Sequence, residues 1–393
     1  MMRRHSVRLI SAACSVALVH IAAPLFADDL GAQTQTAVES ASLQFFPTPH
    51  HFSKARHLFE KETFGGNGRT CLTCHSRSTG TVSPADAQQR FDRNPKDPLF
   101  LADGSDDGNG NGATRILADA TILVRIPLPD NVTLANDPTA RSVVLRRGIP
   151  STLNAPALDP VLMLDGRQPN LVEQARGAIF DHAQAKSEPK LQDLQLLAAF
   201  EHTPQFFSSL PMLAYAYFGI EPRLPQGRTA AEKRGRRFFV DAEPAGDFKT
   251  GLCAACHSGP MLNETNKFIP APPFQAGGRF QSVAVSEFND AGNPVFDFVF
   301  TNDDGSTTLI SSPDPGRALI TGNANDFESA NAFKIPSLWG IPRTAPYFHD
   351  NSAKTLEDVA VHYARFFSFV TGGAIVLDLQ DQADIVAFLK LLD

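Results

Sequence analysis

The chain has 393 residues, of which 42% are hydrophobic and 20% charged, and its net charge is −7. That composition is globular rather than disordered, offers no basic surface for nucleic acid, and suffices for two ordinary domains. Five cysteines and a single tryptophan, Trp339, are the counts that matter below.

The first residues read as export machinery. Arg3, Arg4 and Arg8 precede an apolar run from Leu9 to Phe26, and a cut after Ala27 gives a signal peptide over 1–27. The mature protein is then periplasmic with no membrane span; the competing reading is a retained anchor helix, because the run is near the shortest spanning length. Cys14 lies in this segment without a Leu three residues before it, which argues against a lipid-anchored cysteine. Residues 28–48 are small and polar, a loose mature N-terminus.

Helical spacing over Ser53 to Phe64 leads through Gly65-Gly66-Asn67-Gly68 into Cys71-Leu72-Thr73-Cys74-His75. In a C-x-x-C-H run two thioethers hold a haem covalently and the histidine is its proximal ligand. A redox pair, a zinc knuckle and a disulfide are the rival readings. A redox pair has no need of the histidine, and zinc wants a second pair nearby. The run recurs as Cys253-Ala254-Ala255-Cys256-His257. Two covalently bound haem c groups are therefore expected, with His75 on the first iron and His257 on the second. No cysteine of the mature chain is left for a disulfide.

Between the two runs, Ser83-Pro84 opens a short helix. Asp107 to Gly112 matches the opening of a calcium loop, D-x-N-x-N-G, but the closing position is Ala118 and Asp119 falls one place late. A flexible acidic turn competes there with one bound Ca2+. Ile122 to Ile126 and Ser142 to Leu145 read as extended, and Asn170 to His182 and Leu191 to Phe206 as helices. Pro222 to Gly227 is the best linker. A capping box at Thr229-Ala230-Ala231-Glu232 opens a helix towards Phe239, which precedes the second haem run much as Ser53 to Phe64 precedes the first. The chain thus reads as a weak two-fold repeat, with one haem domain over 28–220 and another over 221–393.

Val295 to Phe300 alternates, and Asp303-Asp304-Gly305 turns it back onto Thr307 to Ile310 as a β-hairpin. Thr355 to Phe367 and Gln380 to Leu392 close the chain as helices. On the first of these, Leu356, Val359, Ala360, Tyr363 and Phe367 share an apolar stripe, so Tyr363 faces inward and His362 outward. The expected fold is mainly α: two cytochrome c-like haem domains with small β-hairpin insertions.

Several stretches, taken together with the two haem runs, resemble the bacterial di-haem cytochrome c peroxidase superfamily, and within it the MauG-like branch. They are Gly148 to Asn154, Leu164-Asp165-Gly166-Arg167, Glu173-Gln174-Ala175, Ile335-Pro336-Ser337-Leu338 and Thr344-Ala345-Pro346-Tyr347-Phe348-His349-Asp350, ahead of Thr355-Leu356-Glu357. The resemblance spans about residues 55 to 392. It implies that peroxide reacts at the N-terminal haem, while the C-terminal haem feeds electrons or stores oxidising equivalents. In the peroxidases a Met caps the second iron, and in the MauG-like branch a Tyr does; the matching position here is Tyr363. A phenolate favours higher iron oxidation states, whereas a thioether raises the potential.

The same resemblance assigns the distal pair of the first haem to Gln174 and to the position ten residues later, which is Gln184 and not the family's Glu. Asp181 and His182 stand just before it, and His182 joins Gln174 and Gln184 as a catalytic candidate. No histidine occurs between His75 and His182, so the first iron is expected to be open. The family's inter-haem Trp is replaced by Leu164, leaving Trp339 as a relay candidate. The family's calcium position includes Gly148, Thr344 and Pro346, with the side-chain ligand missing at Gly148. His349 has a supporting place near the haems.

The implied function is a periplasmic di-haem peroxidase or oxidase that uses H2O2 to form high-valent haem and oxidise a partner protein or peptide. The alternatives are a peroxidase that draws electrons from a small cytochrome c or cupredoxin, and a non-enzymatic electron carrier or di-haem oxygenase. The partners implied are hydrogen peroxide and a periplasmic electron donor or protein substrate.

Overall fold

The computed structural model describes residues 48–393 apart from 244, 245, 247, 271 and 272. The expected signal peptide, Cys14 and nearly all of the 28–48 segment lie outside the described residues.

Helix α1 (Pro49–Glu60) starts four residues earlier than its apolar spacing suggests, because Thr48 caps it by accepting from the His51 amide and Pro49 occupies the first turn. It runs into α2 (Cys71–Cys74), the single helical turn that carries the first haem run. Helix α3 (Pro84–Arg93) is opened by a capping box between Ser83 and Asp86. The two expected extended segments are strands, β1 (Thr121–Pro127) and β3 (Ser142–Gly148), and they pair antiparallel from Thr121↔Gly148 to Pro127↔Ser142.

Between them lies a short strand that the sequence did not suggest, β2 (Val132–Leu134). Helices α4 (Leu171–Asp181) and α5 (Leu191–Phe200) follow. The expected helix to Phe206 stops at Phe200. Pro204 forces Thr203 into an extended conformation (φ −80°, ψ 159°), and the chain resumes as a 3-10 turn over Pro204–Phe206. A further helix, α6 (Leu210–Phe218), was not anticipated.

In the second half, α7 (Ala230–Arg236) has the expected Thr229–Glu232 capping box. The hairpin forms as β4 (Phe296–Thr301) and β5 (Thr307–Ser312), in register Thr301↔Thr307. It is not a free-standing insertion: β2, from the first half, pairs with β4 through Thr133↔Val299, giving a three-stranded sheet in the order β2-β4-β5. Helices α8 (Leu356–Val370) and α9 (Leu379–Leu389) close the chain.

The fold is mainly helical with three small antiparallel sheets. Three apolar clusters hold it. One joins α1, α4 and α5 through Leu58, Phe59, Ile179 and Phe200. Another joins α8 and α9 to the 3-10 turn Arg237–Phe239 that follows α7, through Phe238, Trp339, Leu356 and Phe388. The third fills the sheets and draws on both halves, with Ile126 and Leu145 packed among Phe298 and Phe300. Helices α7 and α9 cross at Gly235, where a Cβ would lie 1.9 Å from the Asp384 carbonyl oxygen; only glycine permits that approach. No helix among the described residues is long and apolar enough to cross a membrane.

Candidate functional site

Both C-x-x-C-H runs fold the same way locally. The His75 amide bonds back to the Cys71 carbonyl at 3.0 Å and the His257 amide to the Cys253 carbonyl at 2.8 Å. Each imidazole then donates Nδ1–H to the carbonyl five residues on: His75 to Gly80 at 2.8 Å, His257 to Leu262 at 2.9 Å. A carbonyl can only accept, so each ring carries its proton on Nδ1 and keeps the Nε2 lone pair for a metal. Burial lowers both histidines, His257 to about 4, with the carbonyl bond opposing only in part; both rings are neutral donors at working pH.

The four cysteines are free and none is paired. Burial pushes Cys71 and Cys256 up to about 12, and raises Cys74 and Cys253 as well. They are half-buried thiols at i, i+3. No cluster of three or more His, Cys, Asp or Glu suited to a metal ion occurs among the described residues, which leaves a zinc knuckle without its remaining ligands. Two thiols and one pre-set imidazole, twice over, fit the demands of a covalently held haem.

A cleft enclosing about 1380 Å³ of space, in part open to solvent, borders the first run. Its walls include Cys71, Cys74 and His75, and its apolar lining comes from β1, α4 and α5 (Ile122, Val124, Ala175, Ile179 and Leu197). Large, apolar and furnished with a few convergent polar groups, it has the character of a cofactor site. Gln174 and His182, both on α4 or at its end, line it. Gln184 does not. Its backbone has φ +54°, its side chain is exposed, and its amide oxygen accepts from Asn67 Nδ2 at 3.2 Å.

Two groups lay outside the sequence reading, one behind the cleft wall and one on it. Asp103 Oδ2 accepts from His182 Nδ1 at 2.5 Å and also pairs with Arg69, so the His182 ring is oriented from behind. Burial alone would raise the Asp103 carboxyl, but the His182 bond and the Arg69 charge hold it below the usual carboxylate range. Glu201, just past the end of α5, is the other. Nothing in the local sequence marks either: Asp103 sits in a polar turn and Glu201 after an apolar helix.

At the second run, Tyr363 packs on α8 against Phe367, with ring centroids 6.1 Å apart, and against Phe348 at 6.2 Å. Burial raises its phenol strongly, and the charges of Cys256 and Cys253 add to the effect. Its hydroxyl makes no hydrogen bond among the described residues. His362, expected to face outward, is buried. Its Nε2 bonds the Val283 carbonyl at 2.8 Å, and Phe288 and Phe348 cover it.

Trp339 is buried, with its indole N–H donating to the Pro260 carbonyl at 3.0 Å. His349 stacks on Phe333 at 3.7 Å, itself beside Arg147. At Gly148 a Cβ would lie 2.2 Å from Asn351 Oδ1, and Asn351 Nδ2 donates to the Asp119 and Ala120 carbonyls. In the acidic turn, Asp107 accepts from the Asn109 and Asn111 amides at 2.8 and 3.0 Å, while Asp106 accepts from the Thr114 and Arg115 amides. Both carboxylates there are occupied by N–H donors.

No family model matches the chain. Among curated proteins, the cytochrome c551 peroxidase of Nitrosomonas europaea is 26% identical over 261 residues, covering 62% of this chain and 64% of that protein. The cytochrome c551 peroxidase of Pseudomonas aeruginosa is 24% identical over 272 residues, covering 63% and 64%. The chain therefore matches just under two thirds of the length of each. Among solved structures, a MauG-like protein associated with microbial copper homeostasis aligns with a TM-score of 0.47 at 19% identity, over 88% of both chains. By sequence the chain is similar to the cytochrome c551 peroxidases, which supports its resemblance to the bacterial di-haem cytochrome c peroxidase superfamily.

Proposed function

We propose that the protein is a periplasmic di-haem c-type peroxidase of the MauG-like kind, which reduces H2O2 and withdraws the electrons from a partner protein or peptide. The observation that carries this reading is the matched pair of imidazoles, each tied through Nδ1 to a carbonyl five residues on and each following two unpaired cysteines. Cys71, Cys74 and His75 would hold one haem, and Cys253, Cys256, His257 and Tyr363 the other. When bound, these groups supply the one-electron redox chemistry that no side chain of the cleft provides.

The chain's own residues have three tasks. Gln174, on the cleft wall, offers an amide that donates to and accepts from a bound peroxide. His182, oriented by Asp103, moves protons between solvent and the cleft. The apolar lining keeps bulk water away from the reacting oxygen atoms. Overall, H2O2 takes two electrons and two protons, its O–O bond breaks and two waters leave; the electrons come from the partner.

The test is a resting-state EPR spectrum followed by addition of H2O2 to the diferric protein. One high-spin centre and one low-spin centre, with both spectra changing on addition of peroxide, are expected. Two fully capped low-spin centres that ignore peroxide would leave only an electron carrier. Steady turnover with reduced cytochrome c, without modification of any partner, would favour the scavenging peroxidase instead.

A further inference from the structure

Glu201 follows the last turn of α5, and both it and Leu197, one turn earlier, face the first cleft. It is 7% exposed, and its Oε2 is fully enclosed with no hydrogen-bond partner. An enclosed carboxyl oxygen without a partner is destabilising, and native structures keep few such groups.

Apart from the free thiols of Cys71 and Cys74, the other charged and titratable side chains that line the cleft are engaged. Arg69 and His182 are paired with Asp103, Arg147 and Arg167 with Asp165, and Lys334 with Asp159 at 2.9 Å. Glu62 accepts from the Phe64 amide at 2.8 Å. The Glu201 charge adds to the effect of burial in raising the Cys71 thiol. Glu201 is the acid of this cleft that no internal partner claims.

Resting on the di-haem peroxidase reading above, we propose that Glu201 is the proton-holding group of the first cleft. It delivers a proton to the departing oxygen of H2O2 and is recharged from solvent by way of His182, whose side chain is 25% exposed at the rim. In the balanced step H2O2 takes two electrons from the partner and two protons, its O–O bond breaks and two waters leave; one proton comes from the Glu201 carboxyl and the other from solvent by way of His182. Burial pushes this carboxyl up to about 8, so it is protonated at neutral pH and has a proton to give. Gln184, exposed and without an ionisable proton, leaves that task open.

The experiment uses the two-haem protein and the variants Glu201→Gln and Glu201→Asp. Infrared difference spectra taken on either side of pH 8 should show a protonated carboxyl band in the wild type that is absent in Glu201→Gln. The stopped-flow reaction with H2O2, and the binding of cyanide, which sheds a proton on entering, should each slow about 100-fold in Glu201→Gln. Their pH dependence near 8 should vanish with it, and Glu201→Asp should restore part of the rate. If the wild type reacts and Glu201→Gln keeps both its pH profile and the carboxyl band, the assignment of Glu201 fails alone. If slowing is equal at every pH, Glu201 is structural and the proposal falls. If the wild type is inert to peroxide, the peroxidase reading falls and this proposal with it.

Discussion

The indole N–H of Trp339 donates to the carbonyl of Pro260 at 3.0 Å, three residues beyond His257. On the other side, the Trp339 carbonyl receives Asn154 Nδ2 at 3.0 Å. Asn154 lies two residues beyond Thr152, whose amide shares the Gly80 carbonyl with the His75 ring, at 3.1 and 2.8 Å. A run of covalent bonds and hydrogen bonds therefore reaches from one imidazole towards the other on their protein sides. Its single aromatic member is Trp339, and it avoids Leu164 altogether.

Replacing Trp339 by Phe keeps an aromatic ring but removes the donor to Pro260. The unsatisfied carbonyl should cost about 1–2 kcal/mol of stability, read in a denaturant titration. The response of the second centre to peroxide should slow, while the peroxide reaction at the first centre keeps its rate. Equal rates at both centres would show that the electrons travel elsewhere.

Tyr363→Met exchanges a hard phenolic oxygen for a thioether at the second centre. The reduction potential of that centre should rise by about 100 mV or more, since axial ligands tune such centres over roughly 0.8 V. Spectroelectrochemistry checks this, and the first centre serves as the internal control. An unchanged potential would place Tyr363 outside the coordination sphere.

Much of the local structure was legible. The helix start at Ser83-Pro84, the capping box at Thr229, the hairpin and the last two helices all follow from residues close together in the chain. What failed was long-range. His362 sits off the apolar stripe of α8, but Val283, Phe288 and Phe348 fold over that side and bury it, which periodicity cannot report. β2 pairs with a strand more than 160 residues away, so three unremarkable residues, Val132 to Leu134, become part of a sheet. Asp103 meets His182 across 79 positions. Family register put Gln184 at the distal site, whereas the left-handed turn there sends its side chain out to Asn67.

Arg147, 1% exposed, binds Asp314 through two nitrogens at 2.7 and 2.9 Å and Asp165 through the third. It fastens β3 to the Asp165-Gly166-Arg167 turn and to a loop of the second half. Burial would raise Asp165, but Arg147 and Arg167 hold it below the usual range. Arg147→Met leaves two enclosed carboxylates short of a counter-charge and should cost about 3–5 kcal/mol. Because the Asp165 carboxyl is depressed in the folded state, the wild-type advantage should be full above the unfolded carboxylate pKa and shrink as pH falls through it.

Asp103→Asn keeps a hydrogen-bond acceptor but removes the charge that Arg69 and His182 share. Arg69 is 2% exposed, so the loss should cost about 2–3 kcal/mol. The His182 ring should lose its fixed tautomer, and NMR of the imidazole nitrogens reports that directly. In the peroxide reaction the effect should appear in the pH profile rather than in haem content.

Glu201 gives the opposite pH signature to Asp165. Its folded carboxyl stands at about 8, above the unfolded value near 4.5, so the folded state binds the extra proton between those limits. Stability at this site is therefore complete below the lower limit and is lost as pH rises through the upper one. Glu201→Gln cannot ionise and escapes that loss. The variant should match the wild type below the unfolded carboxylate pKa and exceed it by roughly 4–5 kcal/mol once the pH passes the folded one. Thermal melts across that range measure the difference. A gap that does not widen with pH would mean that Glu201 is ionised in the folded protein and has found a partner for its charge.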